Sequence, residues 1–394
     1  MRLIQVGRVR RMEFIYVPVQ VTPNLTSFVS KLKRLTDTRD NRGKRHELAF
    51  VLGGVVLAIM SGRSYASSIY RFIKHRLKWL CRVLGYWGVK AVSRAQLPRI
   101  LEGVDWADLN EIVEEQFGVR IEVQDKAWHA VDGKTLRGVA GQRERVLLAV
   151  SHTTAKTVAQ KPLHGTKKSE ITVVREMLAE TGLEKGKNTL DALHFNPTTT
   201  GQINRAGGQF IIQLKENQPR LLKQMSQEAA EAAPLSILKT VDKGHGRLEI
   251  RQGTFFKINH LELDPRWDES GLATLIVMAR RTTALATQKR SAEVSFYCSN
   301  VSVDPADQAT PQELFQAIRG HWGVEAGNYI RDVSFQEDKV KTKHANQAQV
   351  LALLRTLAIH LFREAGIKNF RAALDTFADC PDQFETFLIQ YGFL

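Results

Sequence analysis

The sequence contains few cysteines and no long apolar segment, and both shortages exclude classes of protein. Its three cysteines, Cys81, Cys298 and Cys380, are far apart and fit neither a disulfide framework nor a zinc-binding spacing. We therefore expect reduced thiols in a cytosolic protein. The longest apolar run, Leu48 to Met60, falls short of the roughly 20 residues that a membrane span needs. It also lies too far along the chain for a signal peptide, so we expect neither export nor membrane anchoring.

Several local signatures of catalysis are also missing. The eleven histidines show no His-x-x-x-His zinc spacing, so a structural metal is not expected. A Gly-rich phosphate loop is absent, and no local signature of Ser-His-Asp or Cys-His catalysis is found.

The charge balance is the most informative feature of the composition. Lys and Arg number 56 against 41 Asp and Glu, which gives a formal net charge of +15. Such an excess favours a polyanionic partner, because each phosphate neutralised by Lys or Arg releases condensed counterions. The alternative is a basic surface with no role in nucleic-acid binding. A cationic helix predicted over Tyr65 to Trp79 favours contact with a DNA backbone, although a solvated helix face would look the same. Its basic residues are Arg71, Lys74, His75, Arg76 and Lys78.

The pattern of apolar residues divides the chain into five parts. Residues 1–38 form an N-terminal arm with Arg2, Arg8, Arg10 and Arg11, and 39–118 show helical periodicity. Residues 119–217 predict three strands, a helix, a strand, a helix and a strand, which is the order of the RNase H-like fold. Residues 218–300 predict a β-rich insertion, and 301–394 return to helices. The predicted fold class is therefore α/β: an RNase H-like mixed sheet flanked by helices, interrupted by the insertion and preceded by an α-helical domain.

Two aspartates end predicted strands of this sheet. Asp132 follows the apolar segment 127–131 and precedes a glycine, and Asp191 lies near the end of the strand predicted over 188–193. Both can also be explained as turn-forming residues. If the two strands are neighbours, the carboxylates meet at one edge, as two-metal phosphodiester chemistry requires. A third acid would come from the helical region, where the residues alone leave four candidates open. These candidates are Glu325, Asp332, Glu337 and Asp338.

Cationic and polar residues follow the same strands and recur in the insertion. Lys134 and Arg137 come after the first aspartate, and Lys215 and Asn217 come after the last predicted strand. His245, Arg247 and Arg251 belong to a basic Gly-containing segment of the insertion. Each could contact DNA phosphates, or could form surface salt bridges and an ordinary turn.

Taken together, these motifs resemble those of the H-repeat-associated DDE transposases of bacterial insertion sequences. The resemblance rests on the following segments: Asp132-Gly133-Lys134-Thr135-Leu136-Arg137-Gly138, Lys168-Ser169-Glu170-Ile171, Leu190-Asp191-Ala192, Leu214-Lys215-Glu216-Asn217-Gln218, His245-Gly246-Arg247-Leu248-Glu249-Ile250-Arg251, His321-Trp322-Gly323-Val324-Glu325 and Asp332-Val333-Ser334-Phe335-Gln336-Glu337-Asp338. It implies that Asp132, Asp191 and Glu325 form the catalytic, metal-binding triad, with Arg319 and His321 near the DNA.

The resemblance also implies a function. We expect a DNA transposase that uses two Mg²⁺ ions, or Mn²⁺ in their place, to hydrolyse phosphodiester bonds and to transfer the resulting 3′-hydroxyl to a target strand. Its partners would be double-stranded DNA, as element ends and target, and further copies of the chain in a dimer or larger synaptic assembly. No membrane partner is expected, and the location would be cytoplasmic and nucleoid-associated. The alternatives are a catalytically silent DNA-binding protein and an RNase H-like nuclease without strand transfer.

Overall fold

A computed structural model describes residues 27–41, 44–88, 90–117, 126–139, 144–163, 167–259 and 263–394. Most of the predicted N-terminal arm, including Arg2, Arg8, Arg10 and Arg11, lies outside the described residues. The first described part of the chain is helical, as predicted. Its helices are α1 (Phe28–Leu32), α2 (Leu48–Met60), α3 (Ala66–His75), α4 (Leu77–Val83), α5 (Gln96–Glu102) and α6 (Trp106–Phe117).

Helix α2 is the centre of this helical part. It is apolar on every side and buried over its whole length, as expected for a helix that is surrounded by others. Two glycines allow this dense packing, because a Cβ at Gly53 would lie 3.2 Å from Leu84 and one at Gly54 would lie 3.4 Å from Ile73. Larger side chains at either position would push the neighbouring helices away.

Three C-terminal helices complete the same apolar core. They are α12 (Ala345–Glu364), α13 (Phe370–Asp379) and α14 (Pro381–Gln390). Leu354 and Leu357 of α12 and Phe384 of α14 belong to the same buried apolar cluster as the residues of α2. The helical part therefore combines residues from both ends of the described chain.

The middle of the chain forms one nine-stranded mixed sheet. Its strands are β1 (Trp128–Thr135), β2 (Arg145–Ser151), β3 (Thr157–Leu163), β4 (Lys187–Leu190), β5 (Gln209–Leu214), β6 (Ser236–Gly244), β7 (Arg247–Lys257), β8 (Thr274–Ala284) and β9 (Arg290–Ser299). They lie in the order β3-β2-β1-β4-β5-β9-β8-β7-β6. The pairs β1–β4 and β4–β5 are parallel, and the others are antiparallel.

Helices cover parts of both faces of the sheet. The helices on the first face are α7 (Lys167–Thr181), α8 (Pro197–Arg205) and α9 (Pro219–Glu231). They share a core with β1, β4 and β5 through side chains such as Met177, Ile203 and Leu221. On the second face, α10 (Ala309–Gly320) packs Leu314 and Phe315 against β7 and β8, and α11 (Trp322–Tyr329) follows almost directly.

The predicted mixed sheet flanked by helices is confirmed, with three differences. Strand β1 continues three residues past Asp132, because its pairing with β2 extends to Thr135. Strand β6 was not predicted, since its alternation mixes Ile237 and Val241 with charged residues. The cationic segment 65–79 forms two helices rather than one, with the break at Arg76. The boundaries of the five predicted parts remain a prediction.

The insertion does not form a separate sheet. Its strands β6 to β9 continue the main sheet, because β9 pairs with β5 through Ile211–Ser299 to Leu214–Phe296. In the described part of the chain, no helix is both long and apolar enough to cross a membrane.

Candidate active site

The register of the parallel strands brings the two predicted aspartates side by side. The last residue pair between β1 and β4 is Val131 with Leu190. Asp132 and Asp191 are the next residues along the chain, so Asp191 follows the last residue of β4 and lies at the same edge of the sheet as Asp132. Each carboxylate accepts a hydrogen bond from the backbone N–H of the following residue, which fixes its orientation. Neighbouring parallel strands are about 4.8 Å apart, so the two side chains leave adjacent points of the edge.

The third predicted acid reaches this edge from helix α11. Val324 is buried and packs against Ala130 and Leu148 of the sheet, which anchors the helix over β1 and β2. Glu325 is the next residue and is exposed at the rim. Asp132, Asp191 and Glu325 all line one cavity of about 600 Å³.

The environment of Asp132 disfavours the negative charge of its carboxylate. Burial raises the pKa of Asp132 to about 6, and the negative charges of Asp191, Glu170 and Glu325 act in the same direction. A hydrogen bond from the N–H of Gly133 opposes these effects without cancelling them. A cation at this edge would therefore be favoured.

Glu170 explains why a glycine follows Asp132. It lies in the first turn of α7, is 2% exposed and pairs with Arg145. A Cβ at Gly133 would lie only 2.4 Å from the Glu170 Oε1 atom. The Asp-Gly sequence thus allows a fourth carboxylate to approach the site.

Thr189, His321 and His152 form a small hydrogen-bonded network at the base of the cavity. The Thr189 Oγ1 atom is 2.9 Å from His321 Nδ1 and 3.1 Å from His152 Nε2, so one hydroxyl links strand β4 to the junction of α10 and α11. Burial lowers the pKa of His321, and it lowers that of His152 to about 4. Both rings are therefore neutral near pH 7 and act as hydrogen-bonding groups. Gly320 is required here, because a Cβ would lie 2.2 Å from the His152 ring.

The opposite wall of the cavity is basic and belongs mostly to the insertion. The five cationic side chains that line the cavity are Lys215, Arg247, Arg251, Arg280 and Arg319. Several have acidic partners, since Arg251 and Arg319 contact Asp242 at 2.7 and 3.0 Å. Lys215 lies 3.7 Å from Asp191 and links this wall to the acids.

Arg280 and Trp322 form a further contact on this wall. The guanidinium of Arg280 lies 5.8 Å from the ring centre of Trp322 and also pairs with Glu293 at 2.7 Å. The Trp322 side chain is 57% exposed. An exposed aromatic ring and a guanidinium at a cavity of this charge suit a nucleotide chain.

Of the nine predicted DNA-contacting residues, five line the cavity and four lie elsewhere. Lys215, Arg247, Arg251 and Arg319 line it as described, and His321 lines it as well, at its base. Lys134, Arg137, Asn217 and His245 do not. His245 and Gly246 form the exposed turn between β6 and β7, with φ values of +48° and +71° that fit a two-residue hairpin.

Two of the residues outside the cavity have structural partners. Lys134 is 6% exposed, and its ammonium lies 2.7 Å from Asp332, 3.6 Å from Asp338 and 3.9 Å from Glu337. The three rival candidates for the third acid therefore surround a lysine rather than the cavity. Asn217 donates a hydrogen bond of 2.7 Å to the carbonyl of Ala192 and so holds the segment that follows Asp191.

Arg137 has a looser environment than these two residues. Its side chain is 78% exposed and lies 3.6 Å from Asp338. It is therefore accessible to a partner, but it lies beside the acids that surround Lys134 and does not line the cavity.

Reasoning from the sequence missed several residues of the site. They are Glu170, Thr189, Arg280, Glu293, Tyr297 and Trp322. Thr189 could have been found, because it is two positions before Asp191 and therefore shares its face of the strand. The residues of the insertion could not, since their approach depends on the pairing of β5 with β9.

The residues present suit a divalent cation in chemistry, although they are not gathered into a ready-made cage. Within the described ranges, no group of three or more His, Cys, Asp or Glu side chains is already close enough to hold a metal ion. However, carboxylate oxygens are the ligands that Mg²⁺ prefers, and the pKa of Asp132, raised by burial and further by three neighbouring carboxylates, marks a place where added positive charge is favourable. Asp132, Asp191 and Glu325 therefore fit as candidate ligands.

The family assignment agrees with this geometry. Residues 115–361, more than half of the chain, match the family model described as the Transposase DDE domain, and residues 29–115 match the one described as DDE_Tnp_1-associated. The chain therefore belongs to the DDE transposase family, and that prediction is confirmed.

Three curated proteins of Escherichia coli illustrate the similarity. The chain is 24% identical over 375 residues to "Putative transposase YncI" of strain O157:H7, covering 90% of this chain and 93% of that protein. It is 26% identical over 366 residues to "H repeat-associated putative transposase YhhI" of strain K12, covering 89% and 93%. It is also 26% identical over 367 residues to "Putative protein YbfL" of strain K12, again covering 89% and 93%.

Proposed function

We propose that the protein is a DNA transposase that binds the ends of an insertion sequence, cleaves a phosphodiester bond there and joins the released 3′-hydroxyl to a target strand. The observation that carries this proposal is the shared cavity, which three acids distant in sequence line together with five cationic side chains. The acids suit metal-assisted phosphoryl transfer, and the cations suit the phosphates of the substrate.

The sheet supports an RNase H-like core as part of this proposal. Strands β3, β2 and β1 are antiparallel and are followed by β4 and β5 in parallel, in the spatial order 3-2-1-4-5. In this arrangement Asp132 and Asp191 end the pairing of the two central strands, and Glu325 approaches from a helix.

Each group has a defined task in the proposed reaction. Asp132, Asp191 and Glu325 would hold Mg²⁺, with Mn²⁺ as a substitute, and the metal would supply activation of the attacking oxygen and stabilisation of the leaving one. Lys215 lies beside Asp191 and would orient the scissile phosphate. Arg247, Arg251 and Arg319 would hold the adjoining backbone, and neutral His321 would keep α11 in place through Thr189.

Cleavage of a labelled element end tests the proposal. The purified protein should nick the end in Mg²⁺, and Asp132→Asn should abolish nicking while leaving the folded protein intact. Asp268→Asn is a matched control, because this exposed aspartate lies outside the cavity. Equal nicking by Asp132→Asn and the control would refute the proposal.

Two further assays separate the alternatives. A precut end with a free 3′-hydroxyl should be joined to target DNA, whereas a nuclease without strand transfer would only cut. A catalytically silent DNA-binding protein would bind the same end and produce neither product. We also propose that the protein acts as a dimer or larger assembly, because two ends must be processed together. The proposed location is the bacterial cytoplasm, at the nucleoid, where the DNA lies.

A further inference from the structure

The insertion sheet has two faces that differ sharply in charge. One face forms the basic wall of the cavity and carries acidic residues as well, namely Asp242, Glu249 and Glu293. The register places all three on that face, because Asp242 pairs with Glu249 and Arg280 pairs with Glu293. Their carboxylates are partners of the cavity arginines. The cavity face is therefore partly neutralised from within.

The opposite face, here called the outer face, has cations but no acidic residue on β6 to β9, all of which the structure describes. Its cationic residues are Lys239, Lys243, Arg281 and Arg290. Cross-strand pairing puts Lys243, Leu248, Thr283 and Arg290 in one row, and Val241, Ile250, Arg281 and Ala292 in the next. All four cations are exposed, and no ion pair among the described residues involves them.

The outer face is also open to a partner. Helix α9 covers only its Phe256 end, through Leu221 and Met225. Farther out, Val241 is 60% exposed and Val294 is 59% exposed. The surface that they form with the four cations is thus accessible and positive.

We infer that the outer face is a second DNA-binding surface, separate from the cavity, which holds the phosphate backbone of a duplex. The inference goes beyond cleavage at the cavity but rests on the proposed function for its choice of DNA as the partner. Lys243 and Arg290 lie in one row, three strands apart, which is a span of about 14 Å. This span is comparable with the roughly 12 Å width of the major groove, so the two residues can contact phosphates on either side of it.

Charge decides between DNA and a second copy of the chain. In a two-fold symmetric pair the same surface meets itself, so four cations would face four cations without an intervening acid. A polyanion instead gains from each contact, because phosphate neutralisation releases counterions. The exposed valines do not oppose this, since apolar side chains can lie against sugars at the groove edge.

Duplex binding in EDTA tests the inference without any cleavage. The probe is a fluorescent 20-base-pair blunt duplex of unrelated sequence, titrated at several salt concentrations. The quadruple variant K239A/K243A/R281A/R290A should bind at least tenfold more weakly in low salt. Its plot of log affinity against log salt should also flatten by about 3 to 4, because each lost phosphate contact removes about 0.9 from the slope.

A matched variant controls for the loss of net charge. K339A/K341A/K343A/K368A removes the same number of exposed cations from another part of the chain. It should change the slope by no more than about 1. If the quadruple variant does not fold, Lys243→Ala and Arg290→Ala tested singly should each lower the slope by about 0.9.

Two outcomes would overturn the inference. One is an equal change of slope in both quadruple variants, which would show a general effect of net charge. The other is an unchanged slope in K239A/K243A/R281A/R290A. If the molecular mass of that variant in solution also differs from that of the wild type, the outer face is assigned to a second copy of the chain. Because the assay needs no cleavage, failure of the nicking experiment leaves its result intact, and the reverse also holds.

Discussion

Replacing Asp132 by asparagine should stabilise the metal-free protein while it removes activity. Burial and three neighbouring carboxylates raise the pKa of Asp132 from an ordinary value of 3.8 to about 6. Folding at neutral pH therefore forces this group to ionise in an environment that favours its neutral form. Asparagine keeps the acceptor oxygen for the Gly133 N–H and carries no charge.

The sign and size of the effect follow from proton linkage. The unfolded chain releases the proton at lower pH than the folded one, so the penalty is absent below pH 3.8, grows as pH rises and is complete above pH 6. A difference of about two units corresponds to about 3 kcal/mol at pH 8 and, by the same relation, to about half of that at pH 5. The melting temperature of Asp132→Asn in EDTA should therefore exceed that of the wild type by a few degrees at pH 8.

Scanning calorimetry of the two proteins in EDTA at pH 5 and pH 8 measures this effect. Adding Mg²⁺ at pH 8 should raise the melting temperature of the wild type and narrow the gap, because a ligand that binds only the folded state stabilises it. The reasoning is wrong if the two proteins melt together at pH 8 in EDTA, or if their difference is the same at both pH values.

Three further substitutions test the supports of the site, each by its effect on urea unfolding and on nicking. Lys134→Met should cost about 3 kcal/mol, because it removes the buried cation that three carboxylates share and with it the ion-pair partner of Asp332, and adding Asp332→Asn should recover part of the loss; no recovery would contradict the ion-pair explanation. Thr189→Val should cost about 1–3 kcal/mol and slow nicking, since His321 and His152 lose a shared hydroxyl, and wild-type nicking would refute its role in placing α11. Gly133→Ala should cost about 1–3 kcal/mol through its contact with Glu170, and Glu170→Ala should reduce that cost if the contact is responsible.

The core strands and the two aspartates were predictable from the sequence because local pattern determines them. Apolar runs ending in Asp132 and Asp191 carry their own signal, and parallel strands place their ends at one edge. Glu325 needed the family resemblance, since nothing local separates it from Asp332. In the structure the difference is tertiary: Val324 packs α11 on the sheet, whereas Asp332 pairs with Lys134.

The basic wall was only partly predictable for the same physical reason. Arg247 and Arg251 stood out as a charged cluster, but Arg280 lies in an otherwise apolar and polar strand with one further arginine, and it reaches the cavity through the cross-strand pairing of Arg251 with Arg280. The prediction that Lys134 contacts DNA did not anticipate its burial among three acids. Long-range pairing of this kind leaves no trace in the spacing of residues along the chain.

The central claim is that Asp132, Asp191 and Glu325 act as one unit, and single-turnover cleavage of an element end in Mg²⁺ tests it most directly. The rates to compare are those of the wild type, Asp132→Asn, Asp191→Asn, Glu325→Gln, the triple variant and the Asp268→Asn control. We expect each single substitution to lower the rate by about 10³-fold or more, with the triple variant no slower than the singles, because residues that act together are not additive. Cleavage within tenfold of the wild-type rate by any one of the three single variants would contradict the account.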